Sequence, residues 1–248
     1  MRKILLLTMI SFMALGKLSA QTQYQNSGWF MFVNNTKFNE KWGLHLDFQL
    51  RSSDDIKHVR NMLFRPGITY YINSKQNITL GYLLTQTYNP EFDLIDVSPD
   101  IILNRTANEH RIWEQYILNH KIKSVFASHR LRLEQRFIER SLVQPGSDEH
   151  IFAQRFRYFF RLIQPLQKAE ASFDKGAFVA LQNEVFLNFQ NKDKLNNSVF
   201  DQNRLYLAAG YRFSKKVDLE VGYMNQAIKT TIGHTNNSIV QLAVYTRF

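Results

Sequence analysis

The 248-residue sequence has no cysteine, only five prolines and ten glycines, and no long apolar run beyond its first twenty residues. Without cysteine there is no disulfide scaffold, no thiolate metal site, no cysteine nucleophile and no lipid-modified cysteine. So little Gly and Pro excludes a collagenous or low-complexity chain, and 14% aromatic residues argue against disorder. A membrane helix needs about 18 to 20 consecutive apolar residues, which excludes a helical membrane protein. Acidic residues are the minority charge, 21 against 31 Lys plus Arg. That excess is spread along the chain rather than gathered in a patch, so it does not point to nucleic acid.

The amino terminus has a basic start (Arg2, Lys3), an apolar core from Ile4 to Leu15 and a small-residue close, Leu18-Ser19-Ala20, before Gln21. This is the order of a secretory signal peptide, and its core is too short to span a bilayer. Residues 1–20 are expected to be removed, leaving 21–248 as one exported domain.

What recurs in that domain is strict alternation. Leu44, Leu46, Phe48 and Leu50 interleave with His45, Asp47, Gln49 and Arg51. A period of two places the first set on one face of a strand and the second on the other. Strand candidates fall near 28–37, 42–52, 61–72, 77–88, 108–119, 124–140, 152–164, 177–190, 200–213, 217–228 and 238–248. Most reach the roughly 9 to 11 residues of a tilted membrane strand. Short connections near Ser74, Lys123 and Lys215 contrast with longer polar ones at 89–107, 141–151, 191–199 and 229–237. Outer-membrane barrels show this asymmetry and usually an even strand number, so the expectation is an all-β, antiparallel transmembrane barrel of about twelve strands, with ten as the fallback.

A secreted lipocalin-like barrel also alternates, with its polar face toward water. Here the polar face carries Arg with Glu, Gln, Asn, Gly and Ala, which suits a crowded lumen better than a Lys-rich surface. The carboxyl terminus alternates through Val240, Leu242, Val244, Thr246 and Phe248. It resembles the terminal strand read by the outer-membrane assembly machinery, with Val244, Thr246 and Phe248 as the signal.

The Trp42–Arg51 run, Phe64–Gly67, Glu109–Gln115, His129–Arg136, Arg155–Tyr158, Asn183–Phe186 and Asp201–Arg204 together resemble a family of predicted bacterial outer-membrane proteins. That family is catalogued as a domain of unknown function, number twenty-four ninety. The resemblance covers about residues 28–248 and implies a Gram-negative envelope protein. It brings no activity with it.

Phasing each strand collects Arg51, Arg65, Arg111, Arg130, Arg132, Arg136, Arg140, Arg155, Arg157, Arg161, Arg204 and Arg212 on the polar face. Asp47, Glu109, Glu134, Glu184 and Glu220 share it, while Glu114 falls on the apolar face. One reading is a structural lattice in which arginine forks bind carboxylates across neighbouring strands. The other is a small pore biased toward anions. Trp29, Phe30, Phe32, Trp42, Tyr70, Tyr82, Tyr211, Tyr223 and Phe248 are expected to form interfacial girdles. Gly81, Gly210 and Gly222, each before a Tyr, are expected to face a crowded interior.

The runner-up class is a lipid-modifying hydrolase, with echoes at Ser128-His129 and Gly233-His234. Neither has triad spacing, so His234 reads as a loop residue and His129 as an interface residue. The acidic residues Asp93, Asp96 and Asp100 lack a cation-loop spacing. The sequence therefore points to a non-enzymatic outer-membrane barrel, structural or channel-forming. No cofactor or metal is expected, and the expected partners are outer-membrane lipid and the assembly machinery, not nucleic acid.

Overall fold

Alternating side chains form strands, and these strands form hairpins. In a computed structural model describing residues 21–53, 56–88, 106–139, 150–167 and 172–248, eleven strands follow one another. They are β1 (Gln21–Lys37), β2 (Trp42–Ser53), β3 (His58–Tyr71), β4 (Gln76–Tyr88), β5 (Thr106–Ile122) and β6 (Val125–Glu139). Then come β7 (His150–Pro165), β8 (Gly176–Gln190), β9 (Phe200–Ser214), β10 (Val217–Lys229) and β11 (Gly233–Arg247). Residues 1–20, Asp93, Asp96, Asp100 and Arg140 lie outside the described residues.

Each strand pairs antiparallel with its neighbour, and β1 pairs parallel with β11 to close the barrel. The count falls between the ten and twelve expected and equals the number of alternating segments. An odd number is possible because the parallel seam removes the need for the first and last strands to oppose each other.

Several strands run further than the apolar alternation. The long connection expected at 229–237 is a correction: only Thr230–Ile232 separate β10 from β11, and His234 is a strand residue rather than a loop residue. The physical reason is that the backbone ladder continues past the apolar belt on polar rungs. Asn225 donates to Asn236 at 3.4 Å, and Ser27 of β1 donates to Asn237 at 3.0 Å.

The barrel is polar inside and apolar outside. Leu80, Leu207, Val221, Val240 and Leu242 lie exposed on the outer wall, whereas Arg132, Glu134, Glu184 and Glu220 are buried within. A water-soluble barrel is built the other way round. Glu114 does face outward and accepts a hydrogen bond from the outward Gln135 at 3.1 Å.

The interior is filled by large side chains that glycine makes room for. Trp113, fully buried, crosses Gly67 and Gly81, and a Cβ on Gly81 would stand 2.3 Å from its ring. Gly210 and Gly222 are likewise occupied by the rings of Phe178 and Tyr206, as the Gly-Tyr pairs suggested.

Of the girdle residues, Trp42, Tyr70, Tyr211 and Phe248 are exposed near the short-turn end, and Trp42 meets Tyr70 edge-on at 5.1 Å. Trp29 is a correction: it is buried in the lumen, because its odd position in β1 shares the inward phase of Ser27. Phe30, Phe32, Tyr82 and Tyr223 are also corrected, since their pairing partners place them within the strands rather than at the rims. Tyr82 hydrogen-bonds His110, and Tyr223 hydrogen-bonds Ser238 at 2.9 Å.

Candidate functional site

The inward rows of β2, β3 and β5–β10 bring their charges together along the barrel axis. Glu134 of β6 is the centre. Its carboxylate accepts from Arg155 at 2.6 Å and Arg157 at 2.5 Å, both on β7, while Arg111 and Arg132 stand at 3.7 and 3.9 Å. Cross-strand pairing explains the geometry, since Glu134 is directly opposite Arg155 on one side and Trp113 on the other.

Around that centre the pattern repeats. Glu184 accepts from Arg130 and Arg157, each at 2.7 Å. Glu109 binds Arg111 and Arg136, each at 2.6 Å, and Asp47 pairs with Arg65. Asp201 accepts from Arg155 at 2.7 Å, and Glu220 pairs with Arg161. Nearer the short turns, Asp218 accepts from Arg212 and Arg247, each at 2.7 Å. Every described arginine and glutamate assigned to the lattice from sequence thus lies on the inner wall. The sequence reading missed Asp201 and Asp218: Asp218 shares the inward phase of Glu220, whereas Asp201 is out of step with Gln202 and Arg204 and reaches the lumen at the register shift opposite Phe186 and Leu187.

It also missed the aromatic floor of the lattice. Arg132 lies over Trp113 at 4.6 Å, Arg157 over Phe186 at 4.3 Å and Arg51 over Trp29 at 3.9 Å. Such contacts suit guanidinium, a planar and weakly hydrated cation. Phe178 and Phe186 fall on inward positions of β8, where alternation alone marks them only as apolar residues on a polar row. At the short-turn end, Phe173 folds in against Phe126, Ile163 and Phe178 to make an apolar plug, held by Arg212 donating to the Phe173 carbonyl at 2.7 Å.

Cavities remain within this packing among the described residues. One, of about 240 Å³, lies toward the longer connections, and another, of about 150 Å³, lies deeper. Arg51, Arg65, Arg157 and Arg204 line both and so form the partition between them.

Residues 26–237 match the family described as Protein of unknown function (DUF2490). The chain belongs to this family. No curated protein and no solved structure matches it. The matched span of this DUF2490 chain stops at residue 237, short of the 248 that the sequence resemblance covers, so most of β11 lies beyond it.

The residues named as an assembly signal occupy the outward phase of that strand. Val244 pairs with Phe32, Thr246 with Asn34, and the Phe248 backbone N–H donates to Asn35 O at 2.9 Å. The hydrolase echoes are not brought into a triad. Ser128 and His129 alternate onto opposite faces of β6, where His129 meets His120 at 3.0 Å and Tyr158 at 2.8 Å on the outer wall.

Proposed function

We propose that the protein is an integral barrel of the bacterial outer membrane, a structural component of the envelope whose lumen is held shut by the arginine–carboxylate lattice. The observation that carries the reading is the inverted wall, an outward face of exposed Leu, Ile, Val and Phe around an interior of buried charge. An apolar belt with aromatic residues toward one rim is the surface a bilayer stabilises. The lattice reading is favoured over the pore because Trp113, Arg132, Glu134, Phe178 and Tyr206 are all buried across the lumen, and the Phe173 plug stands below them. No group in this arrangement is asked to perform chemistry, and lipid and the assembly machinery are the partners the reading requires.

The absence of cysteine makes topology directly testable. Lys194, in the connection between β8 and β9, and Lys75, in the turn between β3 and β4, are both exposed and lie at opposite ends of the barrel. A membrane-impermeant maleimide added to intact cells is expected to label a Lys194→Cys variant and spare Lys75→Cys. Equal labelling would reject the orientation, and recovery of the protein from the soluble periplasm would reject the membrane assignment.

Assembly gives a second expected result. Deleting Phe248 removes the backbone clasp on Asn35 and Lys37 as well as the terminal aromatic ring. The amount of heat-modifiable folded barrel in membranes should fall several-fold, and far more than for Arg247→Gln. Similar losses from both variants would show that the ending is ordinary sequence.

A further inference from the structure

We infer that the cavity near the longer connections is a binding site for a small diphosphate-bearing molecule. The argument begins with charge. Among the described residues, the lattice around the two cavities contains ten arginines (51, 65, 111, 130, 132, 136, 155, 157, 161 and 204) and six carboxylates (Asp47, Glu109, Glu134, Glu184, Asp201 and Glu220). Positive charge exceeds negative by four. Buried charge of one sign is costly unless something of the other sign meets it.

The surplus is concentrated rather than spread. Arg51 and Arg204 make no ion pair among the described residues; each reaches only a neighbouring glutamine, Gln49 at 2.6 Å and Gln202 at 3.3 Å. Both guanidiniums lie on the ring of Trp29, and both line the partition between the cavities. Arg204 is 8% exposed, and its Nε has no hydrogen-bond partner; the same holds for Nε of Arg65, which is 4% exposed. Two buried, unpartnered donors on residues that line a space bounded by guanidiniums are an independent sign that an acceptor belongs there.

The dimensions and chemistry select the ligand class. A cavity of about 240 Å³ has the volume of about eight waters, more than a single small anion fills. Guanidinium forks match phosphate oxygens two by two, and a diphosphate brings more negative charge and more acceptor oxygens than a single phosphate to Arg51, Arg204 and Arg65, which all line this space. Asp201, already bound to Arg155, faces the same space and disfavours a ligand that would crowd the Asp201 side of the chamber.

The test uses the full chain purified in detergent, with inorganic pyrophosphate as the probe, so it is independent of where the protein resides in the cell. At constant ionic strength set with chloride, pyrophosphate is expected to raise the unfolding temperature saturably and to broaden its own ³¹P resonance, with orthophosphate binding more weakly. Loss of one charged hydrogen-bonding group should weaken pyrophosphate binding about tenfold or more, so Arg204→Gln and Arg51→Gln should each do so. Arg247→Gln, at the other end and paired with Asp218, should bind as the parent does. Two substitutions on different strands keep the test decisive if one variant folds poorly. An equal effect of chloride at matched ionic strength, or undiminished pyrophosphate binding by the folded variants, would overturn the site.

Discussion

Glu134→Gln is expected to cost about 3 to 5 kcal/mol of unfolding free energy, the penalty typical of removing one partner from a buried ion pair. The Glu134 side chain is only 1% exposed and meets Arg155 and Arg157 directly, with Arg111 and Arg132 just beyond. Glutamine keeps the shape but removes the charge, leaving four guanidiniums facing one another with no carboxylate at their centre. Urea titration of the refolded barrel in detergent measures the loss, with Glu40→Gln, in the exposed turn after β1, as the unchanged control. The wild type should also show little conductance in a planar bilayer. An unaffected Glu134→Gln barrel that conducts anions would replace the lattice by a pore.

Leu207→Arg should be nearly as damaging, but only in a bilayer. Leu207 lies at the middle of β9, points outward and is 56% exposed. An arginine on the lipid face at mid-membrane costs about 2 to 4 kcal/mol in a transmembrane barrel, whereas an exposed Leu→Arg change on a surface facing water is within about 0.5 kcal/mol. Unfolding measured in lipid vesicles distinguishes the two. A variant as stable as its parent there would mean that this wall does not face hydrocarbon, and would remove the basis of the membrane assignment while leaving the lumen geometry intact.

Much of the barrel was legible because alternation is a strong signal where one face is apolar. Once Leu44 to Leu50 are phased, Asp47 must face inward, and the pairing of Asp47 opposite Arg65 follows from the hairpin. The same logic phased Glu134, Arg155 and Arg157 correctly without any knowledge of distance. It failed where chemistry and phase disagree. Trp29, Phe178 and Phe186 are apolar residues on inward rows, and composition assigns such residues to the outside until the arginines over Trp29 and Phe186, and the Phe173 ring against Phe178, are known. Strand ends failed for the opposite reason, since Thr235 and Asn237 continue β11 inward with no apolar face to announce it. Which guanidiniums lack a partner was not legible at all, because that depends on distances across non-adjacent strands.

The seam between β1 and β11 decides where the chain leaves the barrel. Because the two strands run in the same direction, Gln21 stands beside Gly233 at one rim, while Lys37 and Phe248 are clasped at the other. In a barrel that crosses a bilayer, the amino-terminal end of β1 and the carboxyl-terminal end of β11 then emerge into different compartments. An even-stranded barrel returns both ends to the side from which it inserts. In the odd-stranded arrangement one end is carried through the membrane while the other stays behind, so, if this barrel spans a bilayer, a protease confined to one side can reach only one of them.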